Sequence, residues 1–305
     1  MRAVKAFFTN LWKSRNLGYR LARIVLLFIL FSWVGVMFFE DSLIYFPYKH
    51  PDGMWDVDRI SIEEGKLGPS ISDVWMTAAD GVKVHGWYAT PVRAEGDRRV
   101  PVKSKAVVLY LHGNGGNVTS YYPILHSHTE LELEVLALDY RGYGKSEGTP
   151  SEAGLYLDAR AAYHHLVDER KAPPGRIVIH GHSLGGAVAI DLASEVPCAG
   201  LVIESTFTSA PAMARRMLPV IPLWIFVRSG YKSVSKVPDI RVPKLFMHSP
   251  KDESIPYAMG RELFEAAADP KEFWEIPDSL HNEAFLTAQP EYGRRFREFV
   301  ERVAR

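Results

Sequence analysis

A single cysteine, Cys198, in a chain of 305 residues excludes an internal disulfide and any cysteine-rich metal site. The H-E-x-x-H pattern is missing as well, so no metal centre is expected. Excess charge of either sign is absent: 36 basic residues face 36 acidic ones, which gives no support to nucleic-acid binding. Two stretches approach nucleotide-binding loops and miss. Residues 139–146, Asp-Tyr-Arg-Gly-Tyr-Gly-Lys-Ser, imitate a phosphate loop, but Asp139 stands where its first glycine belongs. Residues 113–118 lack the last glycine of a dinucleotide fingerprint. There is no internal repeat and no low-complexity tract. With neither a metal nor a cofactor expected, any chemistry must come from side chains.

Acid is missing from residues 1–23, which hold Arg2, Lys5, Lys13, Arg15, Arg20 and Arg23. The rest of the chain therefore carries 30 basic against 36 acidic residues, a net charge of −6. Residues 24–39 contain no charge of any kind. With Leu21 and Ala22 this run approaches the roughly 20 residues that a spanning helix needs. A cleaved signal peptide would need small residues after the run, and Val36-Met-Phe-Phe-Glu-Asp offers none. A buried core helix would not explain the basic residues upstream. An uncleaved membrane anchor explains both, with Trp12, Tyr19, Trp33, Tyr45 and Phe46 as interface aromatics. The positive-inside rule then keeps the N-terminus in the cytoplasm and puts the remaining domain, residues 40–305, on the other side, whether periplasmic or luminal.

Residues 41–69 read as a linker rich in proline, glycine and charge. Residues 74–76 and 82–88 read as two strands around the turn at 79–81. Residues 91–105 read as a polar loop. Residues 106–111 and 135–138 are continuous apolar runs, the mark of parallel strands buried on both faces. Thr149, Pro150 and Glu152 form a capping-box pattern that starts a helix reaching about Glu169. Further strands are expected at 177–179, 201–203, 244–248 and 272–276, and helices at 187–196 and 256–267. A last amphipathic helix carries Tyr292, Phe296, Phe299 and Val300. Strands alternating with helices specify an α/β fold, a mostly parallel sheet covered on both faces.

The chain is organised around residues 176–190. A short strand runs into Gly181-His-Ser-Leu-Gly-Gly186 and straight on into a helix. Glycines on both sides of Ser183 let the two backbones cross, and the sharp turn exposes the Ser183 hydroxyl beside the Leu184 N–H at the helix N-terminus. Gly144-Lys-Ser146-Glu-Gly148 matches the same five-residue pattern, but no strand runs directly into Ser146, which reads as a loop serine.

Ligands of such a sheet sit beyond the carboxyl ends of its strands, so acids and histidines just after strands are the candidates. Asp252 follows the strand at 244–248 and His281 the strand at 272–276. Their order, Ser183, Asp252, His281, suits a nucleophile, an orienting acid and a general base. Glu204, at the end of the strand at 201–203, is the rival acid. The oxyanion donors are the Leu184 N–H and one N–H from residues 112–117. Asn114 is preferred for the second, with Gly113 and Gly115 as alternatives. His112, Gly113, Gly115 and His182 are expected beside the substrate. The other histidines, His126, His128, His164, His165 and His180, read as structural or solvent-facing.

These motifs, Gly181–Gly186, His112-Gly-Asn114, residues 139–146, Asp252 and His281, resemble the α/β-hydrolase superfamily. With Ser42-Leu-Ile-Tyr-Phe-Pro47 they resemble its membrane-anchored abhydrolase-domain branch of depalmitoylases, lysophospholipid lipases and bacterial relatives. The resemblance covers about residues 40–305 and implies a serine hydrolase acting on carboxylic esters or thioesters. Depalmitoylases of that branch have a lipid-modified cysteine cluster near the N-terminus. This chain has an apolar run there and only Cys198, which bears against carrying over their substrate or their cytoplasmic site of action. An aminopeptidase-like activity on the same three residues is the alternative enzyme reading, and a silent membrane-tethered binding module the alternative outside catalysis. The connection at about 206–238 contains the apolar stretch 217–227. It is either a helix packed on the sheet or a lid in which Trp224 and Phe226 meet the substrate.

Overall fold

Alternation of apolar residues along each strand decides which side of the sheet each residue faces, and hence which helices cover it. A computed structural model of the chain describes residues 16–56, 68–95, 98–217, 219 and 222–304. Trp12, the basic residues up to Arg15, part of the expected linker and three residues of the 217–227 stretch lie outside the described residues.

The main sheet has eight strands. We number them β1 (Ser70–Thr77), β2 (Lys83–Thr90), β3 (Val107–Leu111), β4 (Glu134–Asp139), β5 (Ile177–His182), β6 (Gly200–Glu204), β7 (Lys244–His248) and β8 (Lys271–Glu275). Their spatial order is β8-β7-β6-β5-β3-β4-β2-β1. All neighbours are parallel from β8 to β4, and β2 is antiparallel to both β4 and β1. The chain leaves β3 for β4 on one side and later enters β5 on the other, so a crevice opens between the carboxyl ends of β3 and β5.

The longer helices are α1 (Leu17–Ile44), α2 (Tyr122–Glu130), α3 (Glu152–His164), α4 (Leu184–Ala193), α5 (Ala210–Met217), α6 (Tyr257–Ala266) and α7 (Glu291–Val303). Val107, Leu109 and Leu111 of β3 join one core with Leu155 of α3, Val188 of α4 and Leu263 of α6. Val108 and Tyr110, their neighbours in sequence, join the other with Leu125 of α2 and Phe296 of α7.

Several local expectations are revised. Residues 91–105 contain a short antiparallel pair, Val92–Glu95 with Arg98–Pro101. The helix after residue 148 starts at Glu152 with Ser151 as its cap, accepting from the Gly154 N–H at 3.2 Å. Glu152 closes no capping box because its carboxylate accepts from the Gly230 and Tyr231 N–H groups instead. Residues 139–146 are a structural knot. His85 bonds Asp139 at 2.9 Å, Arg141 is paired with buried Asp158 and with Asp80, and the Ser146 hydroxyl donates to the Asp139 carbonyl at 2.7 Å. The second serine with the five-residue pattern is thus engaged in the backbone of its own loop.

The apolar run at 24–39 is the middle of a longer helix. α1 has 28 residues and is about 42 Å long at the usual rise. It is long and apolar enough to cross a membrane, and only 6% of its most apolar 18-residue window is buried. Its end is no linker. Buried Tyr45 bonds the Tyr231 hydroxyl at 2.7 Å, and Phe46 and Pro47 pair in parallel with Gly115 and Gly116. The start of the expected linker is thereby built into the crevice, because these backbone groups find their partners there.

Candidate active site

β5 runs into α4 with one residue between them, and the backbone there takes a conformation that L-residues rarely adopt. Ser183 has φ 55° and ψ −121°. Such a residue costs on the order of 1–3 kcal/mol, held in place by its surroundings. The Ser183 N–H donates to the Glu204 carbonyl at 2.9 Å, and its own carbonyl accepts from Gly186 N–H at 3.0 Å. Close crossing of α4 over β3 makes glycine obligatory next door, since a Cβ on Gly185 would lie 1.9 Å from the Leu111 carbonyl oxygen.

The loops after β7 and β8 bring Asp252 and His281 to this turn. Ser183 Oγ lies 2.9 Å from His281 Nε2, and His281 Nδ1 lies 2.8 Å from Asp252 Oδ2. The Asp252 carboxylate only accepts, so Nδ1 carries the proton and Nε2 is left to accept from the serine hydroxyl. Asp252 also accepts from the N–H groups of Ser254 and Ile255 at 3.0 and 2.7 Å. Burial raises its pKa. Hydrogen bonds from His248 and His281, the charge of His281 and the Ile255 N–H outweigh that and hold it well below the usual carboxylate range.

Two further residues fix the backbone of His281. His182 Nε2–H donates to its carbonyl at 3.0 Å, and its N–H donates to Glu253 at 3.0 Å. Glu253 is the next residue in the chain after Asp252, and no sequence pattern marks its role. Burial, reinforced by the charge of His281, lowers the pKa of His182 to about 4. Burial lowers His112 and His128 as well. An unfolded chain protonates these histidines near 6.5. Stability is therefore expected to fall as pH drops from about 6.5 toward about 4, because the unfolded state gains protons that the folded state refuses. Urea midpoints near pH 7 and near pH 5 measure this, and His182→Gln should flatten the difference.

Glu204 does not join this group. It is buried at the end of β6, where its Oε2 receives His180 Nε2 at 3.0 Å and the Tyr292 hydroxyl at 2.8 Å, and His180 Nδ1 meets His128 Nε2 at 3.1 Å. Burial raises its pKa, but the hydrogen bond from His180, the nearby histidine charges and Tyr292 outweigh that and keep it low.

The loop after β3 faces Ser183 across the crevice. Its carbonyls are all occupied: His112 by the Tyr140 hydroxyl, Gly113 by His112 Nδ1, Asn114 by Phe46 N–H and the Tyr143 hydroxyl, Gly115 by the Tyr121 hydroxyl and Gly116 by Tyr48 N–H. The Asn114 side chain donates to the Ile44 carbonyl at 3.0 Å. Ser183 and His281 open into a cavity of about 1050 Å³, above the usual range for small-molecule sites. Leu184, Gly113, Asn114, Gly115 and His182 line it. His112 does not. It is fully buried behind the loop, stacked on Tyr121 with ring centroids 4.9 Å apart. Trp224 and Phe226 are also outside the lining, because the turn that carries Trp224 packs against α5 and α1 and the Arg215 guanidinium covers the indole at 5.6 Å. The 206–238 connection reaches the cavity instead through Phe207, Met213, Met217, Val227 and Tyr231.

Comparison with known proteins agrees with this architecture. The family model described as "Alpha/beta hydrolase family" matches residues 108–299. The alpha/beta hydrolase domain-containing protein WAV2 of Arabidopsis thaliana is 30% identical over 285 residues, 87% of this chain and 89% of its own. Protein YfhR of Escherichia coli (strain K12) is 31% identical over 220 residues, 71% of this chain and 75% of its own. Among solved structures, the Pyrococcus furiosus esterase Pf2001 superposes with a TM-score of 0.67 at 24% identity, over 86% of this chain and 98% of its own. An eight-stranded sheet with its crevice between β3 and β5, a strained serine at the strand-to-helix turn and a family match across most of the domain lead to one conclusion: the chain belongs to the alpha/beta hydrolase family.

Proposed function

We propose that this protein is a membrane-anchored serine hydrolase that cleaves carboxylic esters or thioesters through an acyl-enzyme. The observation that carries the reading is the unbroken hydrogen-bond chain Ser183–His281–Asp252 at an apolar cavity. Ser183 Oγ attacks the acyl carbon while its proton passes to His281 Nε2. The negative charge that develops on the acyl oxygen is received by the N–H groups of Leu184 and Asn114, each such donor being worth about 3–4 kcal/mol in the transition state. His281 returns the proton to the departing alcohol or thiol. Water then attacks the acyl-enzyme, gives a proton to His281 and releases the carboxylic acid, and Ser183 recovers its proton. Asp252 keeps the imidazole in the required tautomer and steadies its positive charge.

Anchoring rests on α1, whose Leu17, Phe31, Phe38 and Phe39 are exposed, a surface that lipid would cover. The acid-free segment before it keeps the N-terminus cytoplasmic and the hydrolase domain on the opposite side. Treatment of the full chain in detergent with a fluorophosphonate probe tests the chemistry. Labelling at Ser183, with turnover of p-nitrophenyl esters, is the expected result. Turnover of aminoacyl anilides but not esters would replace the esterase reading with the peptidase one, and a folded protein that takes no label would overturn both.

A further inference from the structure

The hydrolase domain does not close its own cavity. Val36, Glu40, Leu43 and Ile44 of α1 stand in the wall, at helical spacings that put them on one face. On this face Val36 and Glu40 are buried and Leu43 is 68% exposed, whereas Phe31 and Phe38, 72% and 70% exposed, do not line the cavity. One end of α1 is therefore divided between the substrate cavity and the surroundings.

Three contacts lock that end in place. Glu40 accepts from the N–H groups of Arg228 and Ser229 at 2.9 and 2.7 Å and from the Arg228 guanidinium at 3.1 Å. Its charge is thereby satisfied by donors of the neighbouring segment, which matters because an unpaired carboxylate in an apolar wall would be costly. The Ile44 carbonyl holds the Asn114 side chain, and Phe46 pairs with Gly115. Met213 and Met217 of α5 continue the apolar lining. About 20 residues of α1 suffice to cross a bilayer. A span that begins near Leu17 thus brings the helix to the membrane interface as the Val36–Ile44 face begins.

Building on Ser183 as the nucleophile, we infer that the last turns of α1 form the acyl-binding wall, and that the substrate is a bilayer-resident lipid ester with a long acyl chain. The chain passes from the lipid onto Val36 and Leu43 and extends toward Met213 and Met217, and its ester linkage reaches Ser183. A lipid is favoured over an acylated protein because the wall continues directly into the face of a helix surrounded by lipid, so the chain need not cross water.

The test uses the full chain in phosphatidylcholine vesicles and a hexadecyl fluorophosphonate with a diazirine at the chain terminus. Ser183 Oγ bonds to phosphorus, the P–F bond breaks, fluoride leaves and the serine proton passes to His281. Light then expels dinitrogen from the diazirine, and the carbene inserts into whatever lies beside the chain. Crosslinks in the peptide containing residues 36–44 are expected. A probe attached to Ser183 with its crosslinks confined to residues 282–303 would overturn the role of α1 and leave the chemistry standing, whereas no attachment at Ser183 would overturn both. As a second readout, Val36→Trp should lower the ratio of kcat/KM for dodecanoate over acetate esters by about tenfold or more. Phe31→Trp, on an exposed face of the same helix, should leave that ratio alone. An unchanged ratio in Val36→Trp overturns the wall. Preferential cleavage of a palmitoylated cysteine peptide over lipid esters in the same vesicles overturns the lipid assignment.

Discussion

Ser183→Ala is expected to lower kcat for ester hydrolysis by about a millionfold, the scale on which loss of the serine disables comparable machinery. The size follows from interdependence. His281 sits 2.9 Å from Ser183 Oγ and has no other proton to take there. Without the hydroxyl, no covalent intermediate forms, and only binding and oxyanion stabilisation remain, about 10³–10⁴ over water. Alanine tolerates φ 55° no worse than serine does, so the thermal unfolding midpoint should stay close to that of the parent. Hydrolysis of a p-nitrophenyl ester under single-turnover conditions reads the loss. Retention of more than about a hundredth of the activity would mean that another group is the nucleophile.

Asp252→Asn should cost about 10⁴ in kcat, while Glu204→Gln should cost little. An amide at position 252 can donate to Nδ1, which would then accept, and the Nε2 proton would face the serine. The imidazole would hold its place in the wrong tautomer. Glu204, in contrast, is tied to His180 and Tyr292, and its replacement disturbs a buried network rather than the reaction. A large loss with Glu204→Gln and a small one with Asp252→Asn would exchange the two roles. The substitution also has a pH signature. The Asp252 pKa is lower folded than unfolded. Its stabilising contribution is complete above the ordinary carboxylate pKa and disappears as pH falls toward the depressed value. Asp252→Asn removes that contribution, so its unfolding free energy should change less than the parent's across acidic pH.

Much of this arrangement was legible because its signals are local. The apolar runs at 106–111 and 177–179 announced buried strands, and the glycines around Ser183 announced the sharp turn. A rule about strand ends, which needs only the order of elements, points to Asp252 and His281, and the fold places both near Ser183. Legibility ended where a residue's partner lies far away in sequence. Glu152 has a capping-box position, yet its carboxylate goes to residues 230 and 231, which no local pattern announces. His112 follows its strand as a site residue would, but the pleat turns it under the loop. The bulk and apolarity of Trp224 and Phe226 suit a lid and ordinary packing alike, and the turn that carries Trp224 packs against α1 and α5. That the residues after α1 brace the β3 loop was invisible, because a two-residue ladder between Phe46–Pro47 and Gly115–Gly116 leaves no periodicity to read.

Glu40 and Ser229 are joined across 189 residues, and Ile44 and Asn114 across 70. A ribosome delivers α1 long before either partner exists, at about 5–20 residues per second. On the anchoring proposed above, the helix enters the membrane first, before the Arg228 and Ser229 N–H groups that receive Glu40 have emerged. Contacts of such long range form late, since the entropy of closing the intervening loop must be met before they stabilise anything. An element made early is therefore seated only after residues 228 and 229 have been added. On that reading, a chain halted before residue 228 would already be in the membrane, yet with neither Asp252 nor the clamp on Glu40. On the proposed anchoring, insertion and competence are separate events, and the gap between them is set by the distance along the chain from one glutamate to the two N–H groups that receive it.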